Sequence, residues 1–369
     1  MSNGTEEIMK FIHIADMHFD SPFVNLSDKD SLGDLRRLDQ RKAFKKVIEY
    51  IKENDIKFLF ISGDLYEQKY IKKSTIEYIN NLFKEIPETK IFIAPGNHDP
   101  YVKNSYYNKF NWNENVKIFN SNIEKVELED ANIYGFGFDD FYCKESGIEN
   151  IELEDKNKLN ILVIHGSLDG GAFEDSEYNP LSRKILKEKG FDYVALGHIH
   201  KIDYNQEDNQ NIVYPGSTVS LGFDELGLHG MIVGNLEKDR LQLEFLPLDE
   251  TEFKLQNVDV TEMNSKEELI EKINELKFAE NNLIEIILVG KRNFEIDKYE
   301  LYKLISNDKV IKIKNKTKIN YNLEMLANDT TLKGLFAKEM LQRLSEENLS
   351  DEDKEILEKA VEIGLEALE

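Results

Sequence analysis

Residues 91–100 read Ile91-Phe92-Ile93-Ala94-Pro95-Gly96-Asn97-His98-Asp99-Pro100. An apolar run ends abruptly in Pro-Gly, and three polar groups of different chemistry follow before a second proline closes the turn. Chain reversal alone does not require a histidine between an amide and a carboxylate. The same grammar recurs along the first two thirds of the chain. Lys10–Ala15 leads into Asp16-Met17-His18, and Phe58–Ser62 into Gly63-Asp64. Asn160–Ile164 leads into His165-Gly166, and Tyr193–Leu196 into Gly197-His198-Ile199-His200. Helical patterns (Leu35–Lys52, about Ser74–Lys84) separate the first three runs, which predicts an α/β fold. Five of the seven histidines thus fall just past an apolar run. In α/β sheets those strand ends are where ligand-binding loops converge.

Each fragment alone is weak, since an isolated Asp-x-His or Gly-Asp is ordinary turn chemistry. Together, Asp16, His18, Asp64, Asn97, His165, His198 and His200 supply seven oxygen and nitrogen donors. One catalytic ion needs three or four, so the set predicts two divalent ions. With imidazole, amide and carboxylate and no sulfur, Mn²⁺ fits best; Fe or Zn are alternatives and Mg²⁺ is less suited. Two ions about 3.5–4 Å apart serve in-line phosphoryl displacement, which predicts phosphate-ester hydrolysis.

The 369 residues suffice for two to three domains, and an apolar fraction of 40% supplies a core. The charge, 47 basic against 71 acidic groups for a net −24, argues against DNA binding by the surface as a whole. The lone Cys143 excludes an intramolecular disulfide and a thiolate metal site. No apolar run is long enough to span a membrane, and the start is not signal-like, so a cytoplasmic location is expected. Met1–Ile8 is expected to be an extension without structural weight. His13 and His229 are expected to be structural.

Asp16-x-His18, Gly63-Asp64, Gly96-Asn97-His98-Asp99, His165 and Gly197-His198-x-His200, in this order, resemble the full signature of the calcineurin-like metallophosphoesterases. The resemblance covers about Met9–Gly234 and implies an α-β-β-α sandwich of two sheets flanked by helices. It implies Asp16, His18 and His200 around one metal and Asn97, His165 and His198 around the other, with Asp64 bridging. His98 would face the phosphate as transition-state stabiliser or proton donor, with Asp99 fixing and charging its ring.

Phe11-Ile12-His13-Ile14-Ala15-Asp16-Met17-His18-Phe19-Asp20-Ser21-Pro22 is similar to the opening of SbcD-like DNA repair exonucleases, the YhaO type among them. So are Tyr214-Pro215-Gly216-Ser217 and Leu221–Gly227. The chain departs from many relatives at Glu67, where they carry Asp or His, and in lacking a following Pro-Ser; cleavage polarity stays open. The expected divisions are a catalytic domain at 9–248, a small α+β cap at 249–328 and a helical tail at 329–369. The cap is read as a strand (Lys254–Val260), a helix capped by Asn264, a strand, a helix and a strand spanning Val310–Ile319. On that last strand Lys312, Lys314, Lys316 and Lys318 would share one face, as a phosphate-tracking stripe or as the guard of an edge strand. Arg36, Arg37, Arg41 and Lys42 form a second basic candidate patch, with a solvated helix face as the plainer reading. The tail holds ten acids and two lysines from Ser345 onward. Its stripe Leu357, Val361, Leu365 and Leu368 suits either a partner or its own domain. The resemblance implies a DNA substrate, Mn²⁺ and a coiled-coil ATPase of the SbcC kind docked on the tail, with a homodimer left open. Alternative functions are a phosphatase or phosphodiesterase acting on small nucleotides or phosphoproteins, or a mainly architectural or regulatory subunit of such an ATPase complex.

Overall fold

The computed structural model describes residues 8–23, 26, 32–169, 178–204, 210–346 and 349–368. The expectation for Met1–Ile8 therefore falls almost wholly outside the described residues. The chain divides into two compact units, Met1–Phe253 and Lys254–Glu369.

In chain order the first unit contains β1 (Met9–Ile14), α1 (Leu32–Asn54), β2 (Phe58–Ile61), α2 (Lys73–Lys84) and β3 (Lys90–Ile93). Then come α3 (Tyr106–Lys109), β4 (Val116–Ile118), β5 (Glu124–Glu127), β6 (Ala131–Phe136) and β7 (Leu159–His165). It closes with α4 (Arg183–Lys189), β8 (Tyr193–Gly197), β9 (Ile212–Val213), β10 (Gly230–Glu237) and β11 (Arg240–Pro247). One sheet has the order β11-β10-β1-β2-β3-β4 and the other β5-β6-β7-β8-β9. Strands β1 to β4 run parallel, as do β6 to β9.

The period of two along each strand builds the layers. Phe11, Phe60, Phe92, Ile161, Val163 and Ala195 point between the sheets and form one buried cluster. Their neighbours Ile12, Ile14, Leu59, Ile61, Ile91 and Ile93 face outward, where Phe44, Val47 and Ile48 of α1 and Ile76, Ile79 and Phe83 of α2 cover them. Leu162, Ile164, Val194 and Leu196 pack outward against Leu186 of α4. Both faces of each sheet are apolar, so helices must cover the outer ones. The result is the α-β-β-α sandwich that the resemblance implies.

The basic residues of α1 are engaged rather than free. Arg36 is buried and holds Asp249 through two hydrogen bonds, of 3.1 and 2.6 Å. Arg37 pairs with Asp34, Arg41 with Asp20 and Lys42 with Asp39. The candidate basic patch on this helix is therefore corrected to a structural network.

The second unit opens with β12 (Glu252–Asp259), whose first two residues lie in unit one, then α5 (Lys266–Glu275), β13 (Asn282–Val289), β14 (Lys291–Arg292), α6 (Lys298–Leu304), β15 (Val310–Asn315) and β16 (Lys318–Ile319). Helices α7 (Leu323–Leu326), α8 (Leu332–Leu344) and α9 (Asp351–Glu366) follow in the same unit. Three expectations are corrected. The cap of α5 is Ser265, which accepts from the Glu268 N–H, one residue past Asn264. The strand expected over Val310–Ile319 breaks, because Asn315 Oδ1 turns back to the N–H and hydroxyl of Thr317. Lys312 and Lys314 therefore lie on an edge strand, Lys316 in a turn, and Lys318 in a separate two-stranded sheet. Lys312 also pairs with Glu285 and Lys318 with Glu362, so the single-faced lysine stripe does not form. Of the two readings of the tail's apolar stripe, the structure has packing on its own unit: Leu357, Val361 and Leu365 pack with Met340 and Leu344 of α8. No helix among the described residues is long and apolar enough to cross a membrane.

Candidate metal centre

The C-terminal ends of β1, β2 and β3 in one sheet and of β7 and β8 in the other meet at one edge of the sandwich. Contacts between the sheets hold them there. The Ser62 hydroxyl donates to the Ala195 carbonyl at 2.9 Å, and His13 Nε2 lies 3.1 Å from both the Ser62 hydroxyl and the Leu196 carbonyl. Gly197 makes the approach feasible, since a Cβ there would stand 1.8 Å from the Ser62 carbonyl oxygen. Gly96 has the same purpose nearer the centre, where a Cβ would lie 2.3 Å from Asp64 Oδ1.

Four of the seven expected donors adopt positive φ: Asp16 at 50°, His18 at 47°, Asp64 at 52° and His198 at 111°. Such conformations cost about 1–3 kcal/mol each in non-glycine residues and gather at functional sites. Here they turn side chains from separate strand ends toward one point. Asp16, His18, Asp64 and His165 are all buried. Asp64 Oδ2 lies 3.7 Å from His18 Nε2 and 3.4 Å from His165 Nε2, between the two halves of the set. His200 Nε2 lies 4.0 Å from Asp16 Oδ1. Asn97 Oδ1 lies 2.9 Å from His165 Nε2. His198 is placed differently: its backbone N–H reaches Asp16, and its ring stands edge-on to His165, centroids 5.2 Å apart.

The outer ring nitrogens decide what the inner ones can be. His165 Nδ1 faces the Ser62 carbonyl at 2.9 Å, His18 Nδ1 faces Glu67 Oε1 at 2.8 Å, and His200 Nδ1 faces Glu225 Oε1 at 2.5 Å. Each is an oxygen acceptor, so each Nδ1 carries the proton, and in the neutral ring Nε2 is a lone pair. Burial opposes charging His200, but the Glu225 hydrogen bond and the charges of Asp16, Glu225 and Asp64 raise it to about 9, so a cation is what would free its Nε2 lone pair beside His18 Nε2, 3.1 Å away. His165 Nε2 and Asn97 Oδ1 lie 2.9 Å apart as two acceptors. Imidazole nitrogens and an amide oxygen gathered beside two buried carboxylates fit divalent cations. Three triads of mutually close donors occur among the described residues: Asp16–His18–His200, Asp16–Asp64–His165 and His18–Glu67–His98. The donor set therefore fits two divalent ions. Burial pushes the Asp16 carboxyl up to about 7, and the neighbouring Asp64 charge adds to this although His200 opposes it. A cation between the two carboxylates would remove that conflict.

Around Asn97-His98-Asp99 the expectation is corrected in one respect. Asp99 does not hold the His98 ring. Its carboxylate accepts from the backbone N–H of Asp64 (3.0 Å), Leu65 (2.7 Å) and Gly96 (2.7 Å), and from the Tyr107 hydroxyl (2.6 Å). A buried carboxylate satisfied by four donors clamps the β2 and β3 loops together and has no direction left for the ring. Glu67 holds the ring instead, its two oxygens binding His18 Nδ1 at 2.8 Å and His98 Nδ1 at 3.1 Å. Burial opposes ionisation of Glu67, but the hydrogen bonds from both histidines bring it down to about 2. Desolvation would lower His98, yet the Glu67 hydrogen bond and the fields of Asp64, Glu67 and Asp99 lift it to about 9. The ring is charged and 45% exposed at the rim of the site. The His98 N–H in turn orients Asp64, donating to its Oδ1 at 2.8 Å.

Sequence reasoning assigned no role to Glu67 or Glu225. Glu225 holds His200 and also accepts from the Ser217 hydroxyl, whose oxygen lies 2.8 Å from His229 Nδ1. The signals were present: Glu67 stood out as a departure beside Gly63-Asp64, and Glu225 lies within Leu221–Gly227. His13 is buried between Tyr193, Leu196 and Ser62, behind His165.

The pattern of the calcineurin-like phosphoesterases matches residues 9–202. The "Uncharacterized metallophosphoesterase YhaO" of Bacillus subtilis (strain 168) is 26% identical over 276 residues, covering 72% of this chain and 67% of the relative. The D subunit of the nuclease SbcCD from Staphylococcus epidermidis (strain ATCC 12228 / FDA PCI 1200) is 30% identical over 278 residues, covering 65% of this chain and 70% of the relative.

Proposed function

Because the chain belongs to the calcineurin-like phosphoesterase family, within its SbcD-like branch, we propose that it is a dinuclear-metal phosphodiesterase that cuts DNA as the nuclease subunit of a repair complex. The observation that carries the phosphoesterase reading is the pair of donor triads that share Asp16, Asp16–His18–His200 and Asp16–Asp64–His165, converging at the strand ends. The choice of DNA rests on the likeness to a nuclease subunit.

In this reading Asp16, His18 and His200 hold one ion, Asn97, His165 and His198 the other, and Asp64 both. Bound divalent ions would supply charge to the phosphate oxygens and a water of lowered pKa, with Mn²⁺ the best match to the nitrogen and oxygen donors. The protein's own part is positional. Glu67, Glu225 and the Ser62 carbonyl keep the three imidazoles turned inward. His98, held charged by Glu67, places its second N–H at the rim. As water adds to phosphorus and the P–O bond breaks, the leaving oxygen takes that proton. The divisions 9–248, 249–328 and 329–369 are proposed as catalytic domain, cap and tail, with an SbcC-like coiled-coil ATPase as partner of the tail.

The test uses the full chain with Mn²⁺, end-labelled duplex and single-stranded DNA, and a chromogenic phosphodiester. Metal-dependent DNA products support the nuclease. Hydrolysis of the small diester without DNA cleavage removes the DNA assignment, and no metal-dependent turnover on any ester removes the enzyme.

A further inference from the structure

An aromatic ladder leads outward from the metal centre. The His198 and Tyr178 rings lie 5.2 Å apart, centroid to centroid, at 34°, and Tyr178 and Tyr142 lie 5.9 Å apart at 30°. Both steps are tilted ring contacts with centroids inside the range of about 4.5–7 Å typical of aromatic pairs. The backbone fixes the ladder. Cys143 and Tyr178 form a β-bridge, and the Asn179 N–H donates to the Cys143 carbonyl at 2.5 Å. The Ser167 N–H, two residues beyond His165, donates to the Tyr178 carbonyl at 3.1 Å, and the Asn179 side-chain amide donates to the His165 carbonyl at 2.7 Å. Tyr178 is thus braced by the segments that present Tyr142 and His165. The outer rung is open: Tyr142 is 56% exposed and the adjacent Phe141 46%. Asp139 and Asp140, also exposed, precede them.

We propose that Tyr142, backed by Tyr178, is a stacking subsite for an unpaired nucleobase whose phosphate lies at the metal centre. The proposal rests on the phosphodiesterase reading above. The flanking carboxylates make this surface repel phosphate, whereas a neutral base offers a π face to a ring that has one side free. Contiguity with His198 places the subsite beside the scissile position. Base–aromatic stacking is tolerant of sequence, so the substrate class is a single strand, a frayed duplex end or a nucleotide ester of any base.

Two measurements on the Mn²⁺-loaded full chain test this. The first is equilibrium binding of thymidine monophosphate against deoxyribose phosphate. The second is kcat/KM on thymidine p-nitrophenyl phosphate against methyl p-nitrophenyl phosphate, which share a leaving group and differ in the nucleoside, so that the first pair isolates the base and the second reads its effect on turnover. The base is expected to improve binding by about tenfold, with the same factor in KM. Tyr142→Leu should abolish that preference and leave methyl-ester turnover unchanged, while Tyr142→Phe should keep it. Equal binding of the two phosphates, or a Tyr142→Leu loss that extends to the methyl ester, overturns the subsite. Failure to hydrolyse either ester overturns the phosphodiesterase reading instead, and the binding preference still decides the subsite.

Discussion

Replacing Glu67 with glutamine tests the core of the site with the loss of a single charge. The carboxylate accepts from two imidazoles at once, His18 Nδ1 at 2.8 Å and His98 Nδ1 at 3.1 Å. A glutamine has one accepting oxygen and one donating amide, so it can satisfy only one of the two rings in the tautomer each now has. If the oxygen stays with His18, His98 meets an N–H donor and loses its anionic partner. If the oxygen turns to His98, the lone pair of His18 Nε2 is no longer enforced. Hydrogen bonds to charged groups are worth about 1.5–3 kcal/mol, and loss of an outer partner of a metal-bound imidazole typically weakens metal affinity by about 10–100-fold. Glu67→Gln is therefore expected to weaken one of two Mn²⁺ sites by about 10–100-fold. A further loss in kcat at saturating metal should remain, because His98 no longer stays charged. Calorimetric Mn²⁺ titration, with turnover of a chromogenic diester measured across Mn²⁺ concentrations, separates the two effects. A variant with unchanged metal affinity and kcat would refute this account of Glu67. Equal weakening of both sites would refute the view that Glu67 acts on the metals through His18, since the hydrogen bonds of His165 run to the Ser62 carbonyl and Asn97 and not to Glu67.

Other outcomes follow from the same geometry. His98→Ala should retain two metals per chain and lose at least about 100-fold in kcat, whereas Asn97→Ala should lose metal; metal analysis of both proteins reads the split, and metal loss in His98→Ala contradicts it. His13, pushed down to about 3 mainly by burial although the Leu196 carbonyl opposes this, stays neutral when folded but takes a proton when unfolded. Its contribution to stability is complete above pH 6.5 and falls by about 1.4 kcal/mol per pH unit toward pH 3. His13→Gln should flatten the pH dependence of the urea midpoint by that amount, and an unchanged slope contradicts the buried neutral ring. Asp249→Ala leaves Arg36 buried without its main anion, so stability should drop by about 3–5 kcal/mol in denaturant titration; a loss below about 1 kcal/mol would show the pair to be dispensable.

Much of the fold was legible because its signal is local. Continuous burial in Phe11-Ile12-His13-Ile14 or Ile161-Leu162-Val163-Ile164 requires only a strand with two covered faces. Helix α8, Leu332–Leu344, falls within the stretch read as a helical tail. The hairpin β10–β11 was less legible. Gly230 and Gly234 bracket the short apolar run Met231-Ile232-Val233, and its turn depends on Asp239 at a φ of 65°. The break at Asn315 was hidden for a related reason: an Asx turn inside a run of alternating lysines leaves the period of two intact on paper.

The sequence by itself determined which chemical groups stand at the strand ends. Asp16, His18, Asp64, Asn97, His98, His165, His198 and His200 each follow an apolar run within a few residues, and parallel strands necessarily carry such residues to one edge. Tertiary structure alone decided which partner each group meets. It gave Asp99 to four backbone and hydroxyl donors, gave His98 to Glu67, and gave His200 to Glu225. It also turned the apolar stripe of α9 onto α8 and lined Tyr142 and Tyr178 up behind His198. Periodicity specifies a face of one element. A hydrogen bond or a ring stack between loops of different strands depends on distances that exist only once both sheets are packed.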